Sequence, residues 1–551
     1  MKSPSILALC LYACLVFANL CESSSFKPNC TLPTSGANYV AGSNTRSTLA
    51  IVWNCASVIL LCTWNIQHLN VPAIRPGSGI KKLWITITTL GTKIKWMVLT
   101  IFIPEYFVGK AMSELFAAQS AYHHMKSEGY EEWGIVHSYL ANMGYFVLDT
   151  QQLNITVPPA AVTSAGQRYD SMSTSRASIK GREMPPSQDY KRESLLLDAP
   201  HSNGSPHEAQ VKKALENPLL SSSAKINAHR LKYRYWALTF SQWQYLFDEG
   251  VAAVPNTPSI YLERLNKGGT LIKLLAVGQV SYLIVQLISR KIQDIPSSQL
   301  EIGTLAFSVS SIITYGLYWK QPQGVETIHI IPATNRELDI EAIVALAAAG
   351  PRYLSHKLRT KNDFDTSLGP SPIPNDGSHA IIWLSELLPR LLPERLTPFI
   401  QENQDLIIWT LGTVFSGIPF GGLHCLAWNF EFPTRVEVVI WRVCSVATAC
   451  LPLVAMVPIL LWIKHIEPMI PHQSEIREGL DIEDPDFLGM LAYIKASRLP
   501  SRWAVACIVL TLTLLYFLGR LFLLCEMIRC LFYLPPEAFI DTWSNAFPHW
   551  G

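Results

Sequence analysis

Residues 416–442 read SGIPFGGLHCLAWNFEFPTRVEVVIWR and lie between two apolar stretches, each long enough to cross a bilayer. A histidine, two tryptophans, two glutamates and two arginines therefore stand where hydrocarbon depth meets a short loop. An ionisable group near the centre of a membrane helix costs roughly 2.5–3.5 kcal/mol on insertion scales. Such groups persist where they pair or line a polar cavity. A long apolar segment in lipid must also satisfy its own backbone, which for an open chain means a helix. The fold class this dictates is all-α, a polytopic transmembrane helical bundle with a disordered cytosolic loop.

Composition points the same way. The chain is 49% hydrophobic and only 16% charged, apolar-rich against ordinary soluble domains. With 44 basic and 42 acidic residues it lacks the charge excess of a general nucleic-acid binder, so no nucleic-acid partner is expected. Met1-Lys2, the apolar run Ile6 to Phe17 and the small-residue site Val16-Phe17-Ala18 read as a signal peptide over residues 1–18. An uncleaved anchor is the alternative. Asn29-Cys30-Thr31 is a glycosylation acceptor in a short luminal segment, 19–48, where Cys21 and Cys30 can pair. Several of the other cysteines fall in apolar spans, where a thiol behaves as a small hydrophobe. No Cys/His spacing suggests zinc, and neither metal nor cofactor is expected.

Region 49–150 reads as a first span, Leu49 to Ile66, followed by interfacial helices. Arg75, Lys81, Lys82, Lys93 and Lys95 follow that span and place its far side in the cytosol. Trp96 to Val108 is apolar but short, and Pro104-Glu105 interrupts it, which suits a re-entrant segment. Residues 151–230 are rich in Ser, Pro and charge and are expected to be disordered. Region 231–330 holds an interfacial helix and the spans Leu271–Ile288 and Ile302–Trp319. A cytosolic loop, 331–403, precedes the spans Leu406–His424, Val436–Ile463 and Trp503–Cys525 and the tail of region 404–551. This gives six spans, the stretch at 96–108 as a candidate seventh, and a luminal N-terminus in an endomembrane or the plasma membrane.

Several short motifs together resemble a family of uncharacterised fungal multi-pass integral membrane proteins. They are Leu61-Cys62-Thr63-Trp64 with His68 and Asn70-Val71-Pro72, Gly421-Gly422-Leu423-His424 with Ala427-Trp428, and Leu534-Pro535, Trp543 and Pro548-His549. Trp133 with His137, Gln279, Gln286, Arg290 and Trp319-Lys320-Gln321-Pro322 extend the resemblance over most of the chain. Gly144-Tyr145 and Tyr318-Trp319 depart from the doubled glycine and doubled tryptophan usual there. The resemblance implies a membrane protein sometimes found near metabolite gene clusters, so a role auxiliary to secondary metabolism is an expectation. It carries no activity.

The candidate chemistry therefore comes from the residues. His424, Glu437 and Arg520 are the candidate catalytic set: alternation of the spans puts them at one luminal level, where a carboxylate beside His424 permits acid–base work near neutral pH. Glu301, Trp428, Trp441 and Arg442 are binding candidates at the same rim. Trp64 and His68, i and i+4, form a second group at the cytosolic end of the first span, which Glu105 and His137 are positioned to join. The competing reading for both groups is structural, as ion pairs locking helix ends and an interfacial aromatic belt. Expected partners are membrane lipids and a lipophilic small molecule, bound or isomerised without cofactor. The alternative function is a non-enzymatic scaffold or receptor-like protein presenting the 158–223 loop.

Overall fold

The computed structural model describes residues 45–72, 80–156, 212, 222–231, 233–255, 257–265, 270–334, 336–353, 373–375, 377–378, 404–465 and 500–542. The signal segment, Asn29, the Cys21/Cys30 pair and nearly all of the 151–230 loop lie outside these residues. The chain divides after Thr45 into two units, and every helix and strand described belongs to the second, which begins at Arg46.

Helices dominate. α1 (Thr48–Asn65) opens on a Ser47 cap whose side chain accepts from the Ala50 N–H, satisfying a donor that the first helical turn leaves orphaned. α2 (Ile80–Phe102) and α3 (Pro104–Ser127) meet at Ile103 with a bend of 111°. Pro104 sets this corner: it has no N–H to extend α2, yet its fixed φ suits the first turn of α3. Then come α4 (Ile135–Asn142), β1 (Phe146–Asp149), β2 (Asn154–Thr156), α5 (Ser222–Leu231), β3 (Tyr235–Ala237), α6 (Phe240–Asp248) and α7 (Ser259–Glu263). α8 (Thr270–Ile292) and α9 (Gln299–Leu317) precede β4 (His329–Pro332), β5 (Glu337–Asp339) and α10 (Ile340–Ala348). The short strands β6 (Arg352–Tyr353) and β7 (Gly377–Ser378) lead to α11 (Gln404–His424), α12 (Arg435–His465) and α13 (Pro500–Arg529).

Among the described residues, four helical segments are long and apolar enough to cross a membrane: Thr48–Asn65, Gln299–Leu317, Arg435–Met456 and Cys507–Phe532. The bent α2–α3 pair makes a fifth if it is one span. α8 and α11, of 23 and 21 residues, occupy the two other expected positions. α9 is the hub, packing against α1, α3, α8, α11 and α13. Three of its buried hydroxyls bond within their own helix, Thr304 to Leu300 O, Ser308 to Thr304 O and Thr314 to Ser310 O. A helix that satisfies its own hydroxyls can be enclosed by apolar neighbours at little cost. α3 and α11 pack closest where two glycines meet: a Cβ on Gly412 would stand 2.9 Å from the Gly109 Cα.

The remaining helices and strands build a second core, and here an all-α description is incomplete. β1 pairs antiparallel with β3 (Val147 opposite Ala237) and parallel with β4 (Phe146 opposite His329). β2 runs parallel to β5. Trp133, Leu140, Phe146, Trp236, Trp243 and Ile343 are buried together in this body. Alternation in such short strands is too brief to stand out beside the helical runs, and their partners are distant in the chain.

Candidate functional site

The luminal rim read from sequence separates into distinct environments. Glu437 lies in the first turn of α12, where it accepts from the Thr434 N–H at 2.9 Å and pairs with Arg529 at 2.6 Å. Half of Arg529 is exposed. Glu437 therefore caps a helix and is not brought to His424 or Arg520 by any hydrogen bond or ion pair among the described residues. Glu301 likewise completes a capping box with Ser298 and takes a two-pronged contact from Arg46, at 2.5 and 3.1 Å. Arg46 and Arg290 both bond to the carbonyl of Ala538, so this network fastens the C-terminal turn to the start of α9. Trp428 follows the end of α11 across a tight turn, Cys425–Ala427, so it does not continue the His424 face. Its ring carries the Arg442 guanidinium at 5.1 Å near the surface.

Arg520 is different. It lies deep on α13, 2% exposed, with its guanidinium 3.5 Å from the Phe420 ring centre and 5.5 Å from that of Phe307. Its ionic partner is Glu105 on α3, at 3.5 Å and equally buried. The Tyr516 phenol, one helical turn before Arg520, borders the same carboxylate. None of the three guanidinium nitrogens of Arg520 makes a hydrogen bond among the described residues. Sequence reading set Glu105 beside the cytosolic group. The Pro104 corner instead carries it into the interior, next to residues from α9, α11 and α13.

His424 completes this centre. Its Nδ1 lies 2.8 Å from the Phe420 carbonyl, and a carbonyl only accepts, so Nδ1 carries a proton, which in the neutral ring leaves the lone pair on Nε2. The ring packs 4.8 Å from Phe420 and 5.9 Å from the wholly buried Trp441, whose indole N–H donates to the His424 carbonyl. Phe420 thus touches both the cation and the imidazole. A buried carboxylate, a guanidinium with open donors and an imidazole together supply two proton acceptors and an anion-stabilising cation.

At the far end of α1, Trp64 stays 37% exposed with Lys93 over its ring at 5.8 Å. His68 is buried with its ring 4.5 Å from Tyr318. His137 joins neither group. Its Nδ1 accepts from the Gly134 N–H at 3.0 Å and its Nε2 meets the Thr257 carbonyl at 2.7 Å, while burial lowers its pKa below the ordinary 6.5. Sequence reading passed over Lys110 and Glu114 on α3, which form a buried ion pair. Their i, i+4 spacing within a largely apolar run was the signal that could have found them.

Most of this chain falls in a known group. It belongs to the family of unknown function DUF8562, whose matches span residues 23–184, 251–350 and 409–550. Those segments include Glu105, His424 and Arg520. No curated protein matches the chain, and no solved structure does.

Proposed function

We propose that this is a multi-pass integral membrane protein, with its N-terminus on the luminal side, that binds a lipophilic small molecule at the Glu105–Arg520–His424 centre. One observation carries the reading: a fully buried guanidinium, surrounded by apolar helices, makes no hydrogen bond with any of its donors among the described residues. Unmatched buried donors cost free energy that a ligand oxygen recovers. A carbonyl or hydroxyl oxygen on an apolar skeleton suits Arg520, while the Glu105 carboxylate disfavours a ligand anion. The lone pair of His424 Nε2 supplies a base, so acid–base isomerisation of the bound molecule is the reaction class that these groups support. An auxiliary role in fungal secondary metabolism fits a lipophilic substrate of this kind.

The test is native mass spectrometry of the full-length protein released from mild detergent, with Arg520→Met and His424→Gln as variants. A lipophilic species retained by the native protein and lost from Arg520→Met supports the reading. Identical retained species in both overturn it. If His424→Gln retains the species and leaves the host's lipophilic metabolites unchanged, the protein binds without converting.

A second reading, a non-enzymatic scaffold, has support in the separate apolar core of the mixed α/β body. Deleting residues 158–223 abolishes function on that reading and is silent on the first.

A further inference from the structure

Away from Arg520, another set of buried polar groups gathers where α3 and α9 meet the α/β body. Lys110 and Glu114 form their ion pair there. Gln321 Nε2 donates to the second Glu114 carboxylate oxygen at 3.4 Å, and Tyr318 hydrogen-bonds to the same carboxylate. Tyr139, from α4, lies close enough to Glu114 and Tyr318 to interact electrostatically with both. Two atoms in this set have no hydrogen-bond partner among the described residues. They are the Tyr139 hydroxyl and Gln321 Oε1, in side chains 1% and 2% exposed. The amide orientation follows from its neighbour, because a carboxylate only accepts and so faces Nε2. An orphaned polar atom in a buried site is costly when left unmet.

The level of this set in the bundle is marked by its surroundings. Trp64 ends α1 and Trp319 follows α9, both with exposed rings, and Lys93 and Lys320 accompany them. Tryptophan with basic residues marks the boundary between hydrocarbon and water. Polar ends of amphiphiles reside at that depth.

We propose that Tyr139, Gln321 and the Lys110–Glu114 pair form a second binding site, distinct from the Arg520 centre, for the hydroxyl end of a lipid alcohol. A lipid hydroxyl satisfies such orphaned atoms in either role, donating to Gln321 Oε1 or accepting from the Tyr139 O–H. Glu114 repels a carboxylate or phosphate end, and Lys110 repels an ammonium. The inference rests on the membrane reading but not on any ligand at Arg520.

The test is photolabelling of the full-length protein in membranes with a diazirine-bearing long-chain primary alcohol, beside the matching fatty acid, followed by peptide mapping. Labelling by the alcohol is expected within 106–145 and 312–323. Tyr139→Phe and Gln321→Leu each lower it about 2- to 10-fold, the loss of one hydrogen bond of about 0.5–1.5 kcal/mol. Tyr139→Phe keeps the ring and its packing, and thermal melting checks that it folds. Equal labelling in the native protein and Tyr139→Phe overturns the proposal, because the two atoms then hold water only. Labelling by the acid as strong as by the alcohol also overturns it. Arg520→Met, once thermal melting shows that it is folded, leaves labelling here unchanged, whereas parallel loss in the folded variant refutes a separate site.

Discussion

Replacing one member of the Glu105–Arg520 pair isolates the energetics of the buried centre. At 3.5 Å and an effective dielectric constant of about 20, the Coulomb attraction is about 5 kcal/mol. Glu105→Gln leaves the Arg520 cation enclosed without a counter-charge, and breaking a buried pair from one side costs about 3–5 kcal/mol. Arg520→Met strands the carboxylate and also removes the cation from the Phe420 face, a contact worth about 2 kcal/mol when desolvated. The double variant carries neither buried charge, so its destabilisation falls well short of the sum of the singles. Unfolding by SDS titration in mixed micelles, followed by tryptophan fluorescence, reads all four proteins. The expected coupling energy is about 3 kcal/mol. Additivity within about 0.5 kcal/mol refutes the argument, because it means that the two groups are solvated independently.

Three further outcomes rest on the same geometry. Gly412→Val drives a side chain into the Gly109 backbone of α3, so it lowers stability by about 1–3 kcal/mol, visible as a reduced melting temperature. Arg529→Ala removes the half-exposed partner of Glu437 and costs less than about 1 kcal/mol, whereas Arg46→Ala strands the buried Glu301 and costs several; comparing their melting curves checks the contrast. Burial holds the His137 pKa below its unfolded value of 6.5, so the unfolded chain binds the extra proton first. The stability this residue contributes is present above pH 6.5 and is lost as pH falls toward its folded pKa. His137→Asn flattens that acid limb in a pH series of thermal melts, and an unchanged limb refutes the assignment.

What the sequence made legible and what it left hidden divide along a physical line. Run length and hydropathy report how deep a segment can sit, so α1, α9, α12 and α13 stand close to the positions expected for spans. Depth says nothing about rotation about the helix axis or about neighbours, and those two quantities decide which charges meet. Glu437 and His424 are 13 residues apart and face different partners, whereas Glu105 and Arg520 are 415 residues apart and touch. Local chemistry did contain part of the answer. The Thr434-x-x-Glu437 and Ser298-x-x-Glu301 spacings are capping boxes, a motif that consumes its own carboxylate and so argues against a free catalytic acid at either position. Glu105 follows a proline at a first helical turn but has no upstream hydroxyl to cap, and it lies two residues beyond the break at Ile103. An acid that no local motif consumes, placed at a corner that carries it inward, has to find its counter-charge elsewhere in the fold. Arg520, in the middle of the most apolar span, is the basic residue under the same constraint.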